Sequence, residues 1–149
     1  MRRIFIALAI LLALGNTADA KNYITLESPS GNTIVDETGK WILGPYKDLH
    51  VNYIIDFGER YAYASFYDNS QKRYINLNTM VYLPAGYDYE FSYEYAKALT
   101  KGGFKLVKSD GTYAINDVVS AYSYCSDNLI YGKKGEFWYL YNISTGSLV

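Results

Sequence analysis

The chain is predicted to be all-β, built of antiparallel hairpins, and three observations carry that prediction. Tyr87-Asp88-Tyr89-Glu90-Phe91-Ser92-Tyr93-Glu94-Tyr95 has an aromatic side chain at every odd position and an acidic or small polar one at every even position. A period of two gives a strand with one dry and one wet face, whereas a helix would scatter the five rings around its circumference. Short β-branched and aromatic runs fill the chain beyond residue 20, separated by Gly, Asn, Asp and Ser turn signals. No segment there has the period of an amphipathic helix.

Residues 1–20 read as an export signal. Arg2 and Arg3 supply the charged start, and Ile4–Leu14 is an apolar run of eleven residues, short of a comfortable membrane span. Ala18-Asp19-Ala20 is an Ala-x-Ala cleavage site, so the mature chain is expected to begin at Lys21 and to be periplasmic or secreted. No later segment is apolar enough to cross a membrane as a helix, so no integral membrane segment is expected after signal removal. Residues 21–149 have the length of one domain with one core.

From Lys21 onward the expected strands follow in order. Tyr23–Leu26 is short and alternating. Thr33–Val35 and Lys40–Leu43 flank Asp36-Glu37-Thr38-Gly39, a hairpin turn in which Gly39 takes the positive-φ position. Val51–Phe57 and Arg60–Tyr67 are joined at Gly58-Glu59; Asp68-Asn69-Ser70 then leads to Lys72–Leu77, and Asn78-Thr79 to Met80–Leu83. Pro84-Ala85-Gly86 introduces the aromatic strand, which is expected to run unbroken from Tyr87 to Tyr95 with Phe91 its most buried ring, because Phe91 has no hydroxyl to satisfy. Turns at Gly102-Gly103, Ser109–Gly111, Ser126-Asp127, Gly132–Gly135 and Ser144–Gly146 separate Phe104–Lys108, Thr112–Ile115, Val118–Tyr124, Leu129–Tyr131 and Phe137–Tyr141.

The hairpins recur. Gly39, Thr79, Gly111 and Gly146 occupy one place in successive turns at intervals of 32 to 40 residues. An apolar pair precedes each: Ile34-Val35, Tyr74-Ile75, Leu106-Val107 and Tyr139-Leu140. About three units of ~35 residues plus a final hairpin are expected, as an open meander or a solenoid-like sheet. Ile34-Val35-Asp36-Glu37-Thr38-Gly39-Lys40, then Pro84 with Tyr87-Asp88, Phe91-Ser92, Ala98-Leu99 and Gly102-Gly103, resemble the unit of the bacterial tryptophan–glycine (WG) repeat proteins. Phe57-Gly58-Glu59 and Ala62 echo it one unit earlier. The Trp-Gly dipeptide itself is absent, its tryptophan replaced by Lys72, Phe104 and Phe137. The resemblance implies a β-rich repeat fold and no assigned catalytic residues.

Composition narrows the chemistry. With 14 basic and 15 acidic side chains interspersed, the chain lacks the concentrated positive patch that nucleic acid needs. Cys125 is the only cysteine, so no internal disulfide forms. His50, beside Asp48, is the only histidine and reads as a loop residue; no Gly-x-Ser-x-Gly elbow accompanies it. One His and one Cys do not make a zinc site, and neither Asp36-Glu37-Thr38-Gly39 nor Ser109-Asp110-Gly111 extends to a calcium loop. Glu90 and Glu94, four apart on a strand, would lie about 13 Å apart, too far for a glycosidase pair. No catalytic residue, metal or cofactor is expected.

What remains is tyrosine, 18 of them, all beyond residue 20. Most are expected to fill the core and sheet faces. Exposed ones would make an efficient contact surface. Stacked units would align Tyr61, Tyr63, Tyr93, Tyr95, Tyr122 and Tyr124 as a ladder, the candidate binding surface. The expected function is that of an exported, non-catalytic binding protein whose partner is another protein of the envelope or cell exterior. The alternative is a glycan-binding module using Tyr and Trp faces. A small hydrolase would require His50 or Cys125 in a concave pocket.

Overall fold

The computed structural model of the chain describes residues 21–56, 59–92 and 94–149; residues 1–20, where the export signal is expected, Phe57-Gly58 and Tyr93 lie outside them. Among the described residues there are fourteen strands and no helix. They are β1 (Tyr23–Leu26), β2 (Asn32–Asp36), β3 (Trp41–Asp56), β4 (Glu59–Asp68), β5 (Gln71–Asn76), β6 (Val81–Tyr82), β7 (Tyr89–Phe91), β8 (Tyr95–Thr100), β9 (Gly103–Lys108), β10 (Tyr113–Val119), β11 (Ala121–Ser126), β12 (Leu129–Lys134), β13 (Phe137–Asn142) and β14 (Ser147–Leu148). Every pairing is antiparallel and joins consecutive strands, and no sheet closes into a barrel.

The sheets divide into meanders that repeat. β3 is long enough to serve two of them, so β1 to β6 form one six-stranded sheet. Its front part, β1, β2 and the start of β3, is the first unit. The rest of β3 with β4, β5 and β6 is the second. β7 to β10 and β11 to β14 are the third and fourth. Each unit ends on a hairpin at one of the expected turns, so all four turn positions are correct. Their chemistry comes in two forms. Asp36 and Lys108 open short turns in which the third residue on, Gly39 or Gly111, has φ of +82° or +80°. Asn76 and Asn142 open turns one residue longer: the Asn side-chain oxygen accepts from the second and third N–H beyond it, and the fourth residue takes the positive φ. That residue is Gly146 in one case and Met80 in the other, so the left-handed residue of the second turn is Met80, not Thr79. The last apolar pair, directly before Asn142, is Leu140-Tyr141 and not Tyr139-Leu140; Tyr139 is exposed.

The aromatic stretch is not one strand. Ser92 donates from both its N–H and its hydroxyl to the carbonyl of Tyr95, and the chain reverses there, so that Phe91 pairs with Ala96. Tyr89 and Phe91 belong to one strand, with Tyr87 on the segment leading into it, and Tyr95 belongs to the next. Tyr95 is buried and Phe91 half-buried, the reverse of the expected ranking. Ser120 similarly divides the predicted Val118–Tyr124 strand between β10 and β11.

Strand register sets equivalent positions across the units. Tyr23 opposite Asp36, Tyr63 opposite Asn76, Tyr95 opposite Lys108 and Leu129 opposite Asn142 are one position. Ile24 opposite Val35, Ala64 opposite Ile75, Ala96 opposite Val107 and Ile130 opposite Tyr141 are the next, on the other face. Three cores follow, and each joins the forward face of one unit to the rear face of its successor. Tyr23, Ile34 and Leu43 meet Ala64, Phe66 and Ile75. Tyr63, Tyr74 and Leu83 meet Ala96, Ala98 and Val107. Tyr95, Leu106 and Ile115 meet Ile130 and Tyr141. The units therefore stack, and strands of the inner units are buried on both faces.

Candidate functional site

The stacking decides which tyrosines are available to a partner. Tyr63 is 1% exposed and its ring lies on Phe91 with centroids 4.2 Å apart, inside the junction of the second and third units. Tyr95 is 7% exposed and meets the edge of Tyr122 at 6.2 Å in the next junction. Burial pushes the Tyr95 phenol up to about 12. These two are core rings, equivalent to Tyr23, and do not present a surface. Tyr61 and Tyr122 are half-buried, and Tyr122 also touches Phe104 at 6.1 Å. Tyr124 is exposed and donates to Asp127. Tyr122 and Tyr124 lie on β11, the first strand of their unit, and so match Tyr89 and Phe91, not Tyr95. The five described residues of the expected six do not form one ladder, and Tyr93 lies outside the described residues.

The chemistry-bearing residues stay apart as well. His50 is exposed on β3, Cys125 is exposed on β11, and different sheets carry them. Glu90 lies across from Lys97 and pairs with it at 3.5 Å. Among the described residues no three His, Cys, Asp or Glu side chains are grouped to hold a metal ion.

Two surfaces have the make-up of a contact site. The first is the forward face of the fourth unit. Alternation along β12 and β13 puts Tyr131 and Lys133 beside Leu140 and Trp138 on one face, because Tyr131 pairs with Leu140 and Lys133 with Trp138. Val149 joins them through its N–H bond to the Leu140 carbonyl. In the inner units the places of Leu140 and Val149 are held by Tyr74 and Leu106 and by Leu83 and Ile115, all buried, whereas the place of Trp138 is held by exposed Lys72 and half-buried Phe104. Here Trp138 is 49% and Val149 73% exposed. Exposed apolar side chains surround Lys133 on this sheet face.

The second is a groove of about 600 Å³ beside the β4–β5 turn, walled by Tyr67 and Tyr87 and floored by Gln71, Lys72 and Asp88. The Asp88 carboxylate accepts from the Tyr74 hydroxyl at 2.8 Å and from Lys72 Nζ at 3.0 Å, and those two donors hold it below the usual carboxylate range. The Lys72 ammonium is raised above its ordinary value by its interaction with the Tyr74 hydroxyl first and with Asp88 second. One further triangle repeats this design: Asp117 accepts from Lys134 at 2.9 Å and Tyr141 at 3.0 Å, tying the third unit to the fourth.

Sequence reasoning missed both surfaces. The groove joins residues about 16 apart through a loop whose path no period announces. The terminal face escaped because β12 and β13 are apolar on both sides, and only the stack tells which side lacks a neighbour. Compared with protein-family models, curated proteins and solved structures, the chain matches none.

Proposed function

We propose that this is an exported, non-catalytic binding protein, a WG-like repeat stack whose terminal sheet face engages another protein of the envelope or cell exterior. Its support is the face of Tyr131, Trp138, Leu140 and Val149, in which Leu140 and Val149 hold places that the inner units bury and Trp138 adds an exposed ring. Aromatic side chains at the centre of a flat apolar area are the usual anchors of protein interfaces. A photoreactive residue at position 138 should give a discrete adduct with another protein in intact cells, while one at exposed Asn69 should not. Absence of any position-138 adduct sinks the protein-binding reading.

A glycan is the second reading, and the groove between Tyr67 and Tyr87 favours it. Two rings there flank an amide, an ammonium and a carboxylate, the groups that stack on and hydrogen-bond to a sugar. Titration with soluble oligosaccharides distinguishes the two. Binding that disappears in Tyr87→Ala and survives in Trp138→Ser would move the function to the groove. The same purified protein tests export: its intact mass should start at Lys21.

A further inference from the structure

We infer that the partner of the terminal face is a second copy of this chain, added head to tail; this rests on the protein-binding reading above and names its partner. The rear faces of the second, third and fourth units are covered by the unit before them. At the first unit Ile24 and Leu26 on β1 are open, although Val35 across from Ile24 is buried. Ile24 and Leu26 occupy the places of Ala64 and Phe66, Ala96 and Ala98, and Ile130 and Gly132, all buried, yet they are 38% and 51% exposed. The forward face is open only at the fourth unit. The chain therefore carries, uncovered at its two ends, the two halves of a junction that it makes three times within itself.

The turns agree with that junction in detail. Where the second unit meets the third, an Asn-type turn meets a short one. Thr79 Oγ1 donates to the Ser109 carbonyl at 3.0 Å, and Gly111 lies so close to Val81 and Tyr82 that a Cβ on it would come within 3.0 Å of the Tyr82 oxygen. A copy added to the forward face would repeat this pairing of turn types. Thr145 of the Asn142 turn stands where Thr79 stands, Glu37 of the Asp36 turn where Ser109 stands, and Gly39 where Gly111 stands. Gly39 has open space beside it, with no atom within 4 Å of a Cβ built there. Thr145 Oγ1 only accepts locally, from the Ser147 N–H at 3.3 Å, which leaves its own proton to donate. Ser147 and Leu148 take the places of Val81 and Tyr82.

Such a contact joins two different surfaces, so it is heterologous and propagates as an open chain or closes as a ring. An isologous dimer is the wrong product. Both ends are used once per copy, and substituting either one should stop growth.

The test uses the exported chain as purified, its N terminus read by mass, in a Cys125→Ser background so that introduced thiols report alone. Sedimentation across a wide concentration range should show mass rising by whole copies. Leu26→Asp and Trp138→Ser should each raise the dissociation constant at least about tenfold, since each places a polar group in an apolar contact. Folding, read by near-ultraviolet circular dichroism, should be unchanged because both positions are at the surface of the single chain. A mixture of Thr145→Cys and Glu37→Cys chains should form a disulfide-linked heterodimer on mild oxidation, while a chain carrying both should give a ladder. A chain that stays monomeric at every concentration overturns the inference. So does cross-linking confined to like with like, or a photoreactive residue at position 24 that captures residues 1–20 of its own chain. A monomer that still captures a different protein at position 138 ends self-association and leaves the protein-binding reading standing.

Discussion

The turn at Gly146 and the turn at Gly39 have the same job within their hairpins and opposite surroundings. Both have positive φ. A Cβ on Gly146 would lie 2.6 Å from the Tyr113 carbonyl oxygen, because that turn is pressed on the unit before it; a Cβ on Gly39 would meet nothing. Met80 is the instructive intermediate: it carries a half-exposed side chain at φ +58°. A glycine in this chain therefore answers two demands, backbone conformation and close approach between units, and only the second reports stacking. The same contrast holds for side chains: identical places are core inside the stack and surface at its ends.

The largest expected effect tests that contrast on the cores. Tyr63→Ala or Tyr141→Ala removes a fully buried ring from a junction and should cost about 3–5 kcal/mol in urea denaturation. Trp138→Ala, an equally large truncation on the open face, should cost the dilute single chain less than about 1 kcal/mol. Similar losses at Tyr141 and Trp138 would mean that the terminal face is already covered.

Next come the turns. Gly146→Ala should destabilise by about 2–4 kcal/mol, from strain at positive φ plus the clash with Tyr113. Gly39→Ala bears only the first penalty and should cost about 1–2 kcal/mol. Met80→Gly relieves the same strain and should stabilise by up to about 1 kcal/mol.

How far this stack was legible in the sequence follows from the same residues. The hairpins were readable because Asp36, Asn76, Asp110 and Asn142 accept hydrogen bonds locally, beside glycines in every case but Asn76, and such turn chemistry needs no tertiary context. The all-β class was readable from alternation. Alternation failed at Tyr87–Tyr95, because Ser92 and Tyr95 close a turn without changing the polar–aromatic rhythm. It failed again for Tyr63 and Tyr95: an inner strand with two dry faces carries no mark of which is dry. The open faces around Ile24 and Val149 were unreadable for a deeper reason. Their exposure is a property of their place in the stack, and equivalent side chains elsewhere are core.

Alkaline pH probes all the junctions together. Burial pushes the phenols of Tyr95, Tyr113 and Tyr141 up to about 12, against about 10 in an unfolded chain. A raised folded value means that the folded state holds the proton more tightly. The associated stability is complete below pH 10 and is lost as pH rises from there through 12. Unfolding followed by tyrosinate absorbance should therefore begin above pH 10, with buried rings ionising together with loss of the sheet signal. Ionisation of all 18 tyrosines near pH 10 with the sheet intact would contradict the buried assignment.

The smallest effect compares the two Asp–Lys–Tyr triangles. Asp88 links the lead-in of the third unit to Lys72 and Tyr74 of the second; Asp117 links the third to Lys134 and Tyr141 of the fourth. Hydrogen bonding lowers both carboxyls, Asp88 chiefly through Tyr74 and Asp117 chiefly through Lys134. A lowered folded value stabilises above the unfolded value, near 4, and that contribution disappears as pH falls through the folded one. Both pairs are open to solvent, so water and salt screen them and each is worth at most about 1 kcal/mol. The difference between them lies in the tyrosine. Tyr141 is fully buried, and removing its acceptor leaves a hydroxyl to find another partner beside the core. Tyr74 is also buried, but its hydroxyl bonds Asp88 at the edge of the open groove, where water replaces the carboxylate. Asp117→Asn should therefore lower the urea midpoint at pH 7 more than Asp88→Asn. Both variants should converge on the parent by pH 2, and 0.5 M salt should shrink the Asp88 effect more. A larger loss at Asp88, or one that persists at pH 2, would place the groove side chains in the fold's support.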